Sequence, residues 1–228
     1  MTFRKLIFGV VLSLTAACSP LAEINAFPTS IPISVSVPSE IPPSYQERLI
    51  HCAAEQPEIA ILINESPNLK SPDLRLQLGG PADDSSGFAA LLGWENIIVI
   101  ANSETNIQHI SMDELSKIFS APPPDYEVWA FPEDHPIREL FDDVVLHDSE
   151  LTPYAQLAPN PEAMLEMVSN HANAIGYLPG SWVTGVIHIV ELDPQSQSQL
   201  QLPVLGITNM EPEGILRSIL VCMQAKTD

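Results

Sequence analysis

Two rhythms of apolar and polar residues run through this chain. A period of two places Ile31, Ile33, Val35 and Val37 on one side of a strand and Pro32, Ser34 and Ser36 on the other. Pro32 suits the start or edge of such a strand. Leu74, Leu76 and Leu78 repeat the pattern before Gly79-Gly80-Pro81. The short apolar run 97–101 is too brief for a helix and predicts a buried strand, and 58–63, 128–131, 174–179 and 202–207 read as further strands. Between them the spacing becomes helical: Tyr45, Leu49, Cys52 and Ala53; Leu115, Ile118 and Phe119; Ile137, Leu140, Phe141, Val144 and Val145; Met164, Leu165 and Val168; Ile215 to Met223. Strand, helix, strand in this order predicts an α/β layer with parallel strands.

Helix starts are marked by residue type. Ser111 and Glu114 form an S-x-x-E capping box, with Ile110 and Leu115 at the staple positions. Pro136 and Pro161 fit first helical turns, and Ser44 is placed to cap the first helix. Ser85 or Asp84 is expected to cap a helix carrying Phe88 and Leu91.

The chain begins with Arg4-Lys5 and an apolar stretch from Leu6 to Ala17, too short to span a bilayer. It ends Leu14-Thr15-Ala16-Ala17-Cys18, which resembles a bacterial lipobox, with Thr15 where Leu is usual. The expectation is a signal peptide over 1–17, cleavage before Cys18, lipid on its sulfur and an extracytoplasmic protein anchored to the membrane. Cleavage after Ala17 without lipid is the plainer alternative. Residues 18–30 then form a short tether.

Removing residues 1–17 takes away Arg4 and Lys5 and moves the formal charge from −20 to −22. A surface this acidic argues against nucleic acid or an anionic membrane as partner, so the membrane is reached through the lipid alone. Hydrophobic residues make up 45% of the chain, enough for a sizeable core. The 22 prolines, set among continuing apolar runs, indicate fixed turns rather than disorder.

The stretch 91–120, an apolar strand, an Asn-containing loop and the helix Glu114-Leu115-Ser116-Lys117-Ile118-Phe119-Ser120, resembles the phosphate-type solute-binding proteins of ABC importers. Ala174-Ile175-Gly176-Tyr177-Leu178-Pro179 resembles the same family's later "aIGYvp" strand. The resemblance spans roughly residues 30–225, thinly outside these stretches. It implies a two-lobed periplasmic-binding-protein-like α/β fold with a ligand cleft between the lobes. One lobe would hold 31–95 and 186–228, the other 96–185, with 186–190 crossing back. It further implies a monomer that binds a small polar solute, phosphate or another oxyanion, and delivers it to an ABC permease without a cofactor.

In that family oxyanions are held by backbone N–H groups at helix starts and by small hydroxyls. Its Gly-Ser-Gly-Thr turn, often followed by Arg, corresponds here to Asp134-His135-Pro136-Ile137-Arg138, where only Arg138 survives. Pro136 has no N–H, and Glu133 and Asp134 put carboxylates where an anion would dock, which argues against a dianion. Candidate ligand residues are Ser39, Asp84, Ser85, Ser103, His135, Arg138 and Ser181; each also fits a cap or a solvated loop. Arg138 at i+4 from Asp142 equally fits an ion pair on a helix face. Trp94, Trp129 and Trp182 suit either a cleft wall or core packing. With the chain's end returning to the first lobe, Cys52 and Cys222 become candidates for a disulfide, the alternative being two buried thiols.

Enzyme chemistry finds little support. The six histidines show no metal-ligand spacing, no nucleophile elbow, Walker loop or dinucleotide fingerprint occurs, and Asp142-Asp143 has the pattern of a solvated helix surface. A second function class remains beside the importer receptor: a sensor or protein-interaction module on the same fold, with the ligand turn lost.

Overall fold

The computed structural model describes residues 30–65, 71–81, 87–122, 125–147, 149–185 and 187–225. In chain order it contains β1 (Ile31–Ser36), α1 (Pro43–Ala54), β2 (Ile59–Asn64), β3 (Leu74–Leu78), β4 (Phe88–Ala101), α2 (Met112–Ser120), β5 (Glu127–Ala130), α3 (Pro136–Phe141), β6 (Gln156–Leu157), α4 (Pro161–Asn170), β7 (Ala174–Pro179), β8 (His188–Val190), α5 (Pro194–Gln197), β9 (Gln201–Thr208) and α6 (Gly214–Gln224).

The strands run in the order β2-β1-β3-β9-β4-β7-β5-β6, with β8 also on β4. The 14-residue β4 is the spine. Its first part, Phe88 to Asn96, pairs antiparallel with β9; its second, Ile97 to Ala101, pairs antiparallel with β7. Changing partner at Asn96–Ile97 divides the molecule into two lobes. In lobe 1, β1 lies parallel to both β2 and β3, as a strand–helix–strand rhythm requires. In lobe 2, β5 lies parallel to β6 and β7.

The period-two strands bury the residues that their pattern selected. Leu74, Leu76 and Leu78 are all buried in β3, and Ile33, Val35 and Val37 are buried in and just after β1, while Ile31 at the strand's start is exposed. Helix α1 puts Tyr45, Leu49 and Cys52 inward against this sheet. Helix α6 closes the lobe with Ile219, Leu220 and Met223, and Cys52 is disulfide-bonded to Cys222, 170 positions later in the chain.

Lobe 2 has an aromatic centre. Tyr177 of β7 stacks on Phe141 at 3.8 Å between ring centroids and meets Phe119 of α2 and Phe131, each at 5.6 Å. Helix α2 starts as its sequence specifies: Ser111 Oγ accepts from Glu114 N–H, and the Glu114 carboxylate accepts from Ser111 N–H at 3.0 Å. Leu115, Ile118 and Phe119 form its buried face. Gly176 lets α4 approach β7, since a Cβ there would come within 2.6 Å of Met164 Sδ.

Several elements depart from the sequence-based expectation. Phe88 to Leu91 is strand, not helix, because β9 provides a full ladder of partners. A register shift between Leu91 and Gly93 breaks the alternation there and obscures the period of two. Ser44 does not cap α1: Pro42 is the N-cap and Pro43 occupies the first turn, so Ser44 lies inside the helix. Helix α3 is shorter than the apolar spacing implied and continues as a π turn over Asp142–Leu146, which leaves Leu140 and Val144 only partly buried. β8, in the segment expected to cross back to lobe 1, pairs antiparallel with Val99–Ala101 of β4. The short α5, with Asp193 as its cap, belongs to that return and carries no apolar period to announce it.

Candidate functional site

A cleft of ≈ 660 Å³ lies between the lobes. Lobe 1 contributes Pro38 and Glu40 from the β1–α1 turn, Arg75 to Leu78 of β3, the turn Gly79 to Pro81, and Leu202 of β9. Lobe 2 contributes Asp134, Pro136, Glu139, Leu140 and Asp143, from α3, the residue before its cap, and the π turn after it. The lobes nearly touch at one end, since a Cβ on Gly79 would stand 3.3 Å from the Pro136 side chain. Gly79 also has φ +91°, which favours glycine at this approach.

The helix starts around this cleft have few N–H groups to offer. At α1, Pro42 and Pro43 have none, and Tyr45 N–H is given to the Pro42 carbonyl. At α3 the accounting is complete. Pro136 has no N–H, Ile137 N–H is accepted by His135 Nδ1 at 3.3 Å, and Arg138 and Glu139 N–H both go to the His135 carbonyl. An oxyanion would therefore find no free donor in the first turn of α3.

The charges lining the cleft are mostly negative. Among the described residues Glu40, Asp134, Glu139 and Asp143 face it, against the single cation Arg75. Arg75 Nε is buried and has no hydrogen-bond partner among the described residues. Burial pushes the Glu40 carboxyl above the usual carboxylate range, opposed in part by its own backbone N–H.

The sequence-selected residues scatter. His135 is the cap of α3, stacked on Phe131 at 4.3 Å, and burial drives its pKa down to about 4, so it is neutral at pH 7. Arg138 is engaged within lobe 2: Nε donates to Asp142 Oδ1 at 2.6 Å and a terminal nitrogen donates to the Phe131 carbonyl at 3.1 Å. It pairs as its spacing allowed, with its side chain only 12% exposed. Ser39 lines a smaller adjoining cavity of ≈ 140 Å³ with Asn160, Glu162 and Trp182. Ser103 is exposed in the loop after β4 and does not line the cleft. Asp84, Ser85 and Cys18 lie outside the described residues.

Ser181 sits in the turn after β7 and belongs to a cluster at the lobe junction. Its hydroxyl donates to Glu95 Oε2 at 2.8 Å. Glu95 is buried on β4, one residue before the change of strand partner. Burial raises its pKa, with the Ser181 hydrogen bonds and Arg48 pulling the other way. Arg48 lies over the Tyr45 ring at 4.7 Å and donates to the Met223 carbonyl. A Cβ on Gly93 would overlap the Tyr45 hydroxyl, so this glycine lets α1 seat against β4.

Sequence patterning passed over Arg75, Glu40, Glu139 and Asp143. Asp143 is exposed, as expected, and lies in the π turn where it also lines the cleft. A usable signal existed for Arg75. A chain with only nine Lys and Arg places one in an apolar strand just before Gly79-Gly80-Pro81. Trp94 is 58% exposed, whereas Trp129 is buried and Trp182 lines the smaller cavity.

No family model matches this sequence, and no curated protein matches it. Solved structures do. A protein of Clostridium perfringens described as a phosphate ABC transporter substrate-binding protein, with phosphate bound, superposes with a TM-score of 0.74 at 15% identity, covering 86% of this chain and 93% of that one. An ABC-type phosphate transport receptor from Vibrio cholerae gives 0.63 at 11%, covering 86% and 94%. The reduced regulatory domain of OxyR2 from Vibrio vulnificus gives 0.63 at 13%, covering 89% and 97%. At these identities the likeness defines the fold: a two-lobed, periplasmic-binding-protein-like α/β architecture shared by binding proteins and regulatory domains.

Proposed function

We propose that this protein is an extracytoplasmic solute-binding protein of an ABC importer, held to the membrane by lipid on Cys18. The observation that carries this reading is the cleft of ≈ 660 Å³ between two lobes. The chain crosses between them twice, along β4 and after β8. Two crossings permit hinge closure over a solute. The phosphate receptors of the same fold and the leader ending in Cys18 support it.

A second reading has its own support. The first turn of α3 at the cleft lacks the donors that an oxyanion needs, and OxyR regulatory domains share the fold. A sensor or protein-interaction module would keep the lobes and dispense with transport. A thermal-shift screen of the exported protein in mild detergent separates the two. A solute present at ~100 times its Kd adds about 2.7 kcal/mol, a clear rise in Tm. Stabilisation by one solute class is the expected result; no shift across anions, amino acids, amines and sugars sinks the transport reading in favour of the module. For the anchor, mass spectrometry should find a diacylated Cys18 at the mature N-terminus, and Cys18→Ala should leave the protein in the soluble fraction. An unmodified Cys18 in the membrane-bound protein sinks that part.

A further inference from the structure

The cleft is lined by two unmatched kinds of charge. Arg75 has a buried Nε without a partner, and its planar guanidinium fork suits a carboxylate. Glu40, Asp134, Glu139 and Asp143 share the lining, and none of them makes an ion pair among the described residues. Among the described residues, four carboxylates against one guanidinium give the wall a formal charge of −3. A phosphate or sulfate would add negative charge to this wall, with no N–H left in the first turn of α3 to offset the cost.

Resting on the receptor reading above, we propose that the cleft binds a small aliphatic solute carrying both a carboxylate and ammonium groups, of the chemical class of the basic amino acids. Arg75 takes the carboxylate as a two-pronged, charge-assisted hydrogen-bond pair. The ammonium groups go to the carboxylates facing from lobe 2, chiefly Glu139 and Asp143, and draw α3 toward β3 as the lobes close. Leu140 and Leu202 supply apolar wall for the methylene chain between the charges. A bare metal ion fits less well. Among the described residues no three acidic, His or Cys side chains converge on one point, so the negative charge is spread along the cleft as an extended ligand requires. The upward shift of the Glu40 carboxyl agrees, marking a partly desolvated acid with no cation beside it.

The test is calorimetric titration of the exported protein in mild detergent with lysine, ornithine, arginine, putrescine, phosphate, sulfate and glucose. One of the three basic amino acids should bind at one per chain. Putrescine, which lacks the carboxylate, should bind about tenfold more weakly or worse, the effect of losing one charge-assisted pair. Arg75→Gln should reduce the amino acid to the putrescine level and leave putrescine unchanged, while Glu139→Gln and Asp143→Asn should weaken both. The comparison of amino acid with diamine on the unaltered protein stands even where a variant fails to fold. Binding of phosphate, sulfate or glucose in preference to the basic amino acids overturns this inference and leaves the receptor reading standing. Absence of binding by every solute overturns both.

Discussion

Lobe 1 is assembled from the two ends of the described chain, whereas lobe 2 is one continuous stretch from Ile97 to Val190. The difference shows in how each is held. In lobe 1, α1 and α6 come from opposite ends of the sequence and meet over an aliphatic core of Val35, Leu49, Leu74, Leu76, Val204 and Met223. The Cys52–Cys222 bond ties those two helices together. Lobe 2 has no crosslink and relies on Phe119, Phe131, Phe141 and Tyr177, drawn from residues within 58 positions of each other and stacked around one ring. A lobe made of distant segments carries a larger ordering cost, and a bond closing a long loop lowers the entropy of the unfolded chain. A lobe made of neighbouring segments closes shorter loops and can be held by packing alone.

That contrast can be broken most forcefully in lobe 2. Phe141→Ala removes the ring stacked on Tyr177 and should cost about 3–5 kcal/mol in denaturant unfolding. The loss should be accompanied by faster hydrogen exchange in β5 and β7 than in β1 and β3. Equal loosening of both lobes would show that their cores are not separate. Replacing Cys52 and Cys222 together by Ala should cost about 2–5 kcal/mol, with exchange now rising in α1 and α6 while the aromatic core stays protected.

The next effect depends on pH. His135 has its ordinary pKa of 6.5 in the unfolded chain and about 4 when folded. Between these values the unfolded chain binds the proton first, so stability is complete above pH 6.5 and falls as pH drops toward 4, by about 3 kcal/mol in all. Protonation at Nδ1 would remove the acceptor that caps Ile137 N–H. His135→Asn retains a cap acceptor and does not titrate, so its unfolding midpoint should stay flatter across this range than that of the unaltered protein. An unchanged pH slope would assign the acid sensitivity to other groups. The smallest effect is expected at Ser111→Ala, which removes the α2 cap for about 1 kcal/mol, read as a small drop in Tm.

Much of both lobes was legible because it depends on local pattern. The alternation at Leu74, Leu76 and Leu78, the box at Ser111 and Glu114, and the buried run Ala174–Pro179 each fix a backbone state and a buried face through neighbours in sequence. Phe88 to Leu91 was not legible, since its strand state comes from hydrogen bonds to β9 more than a hundred residues later. Arg138 was ambiguous for a related reason. Its spacing from Asp142 allowed an ion pair, but only the fold brings the Phe131 carbonyl to the same guanidinium and shields both.

The candidate site shows the division most clearly. Arg75, Glu40 and Asp143 lie on a strand, a turn and the π turn after a helix, which no short-range rule connects. Their shared cleft exists because β4 changes partner at Asn96–Ile97 and lays β3 of one lobe opposite α3 of the other. The sequence by itself determined the α/β class, the faces of most strands and helices, and the loss of backbone donors at Pro42, Pro43 and Pro136, because periodicity and proline chemistry act over a few residues. Only the tertiary structure decided which charges meet across the cleft and which are already spent inside a lobe, because charge pairing depends on distances through space that the spacing of residues along the chain does not set.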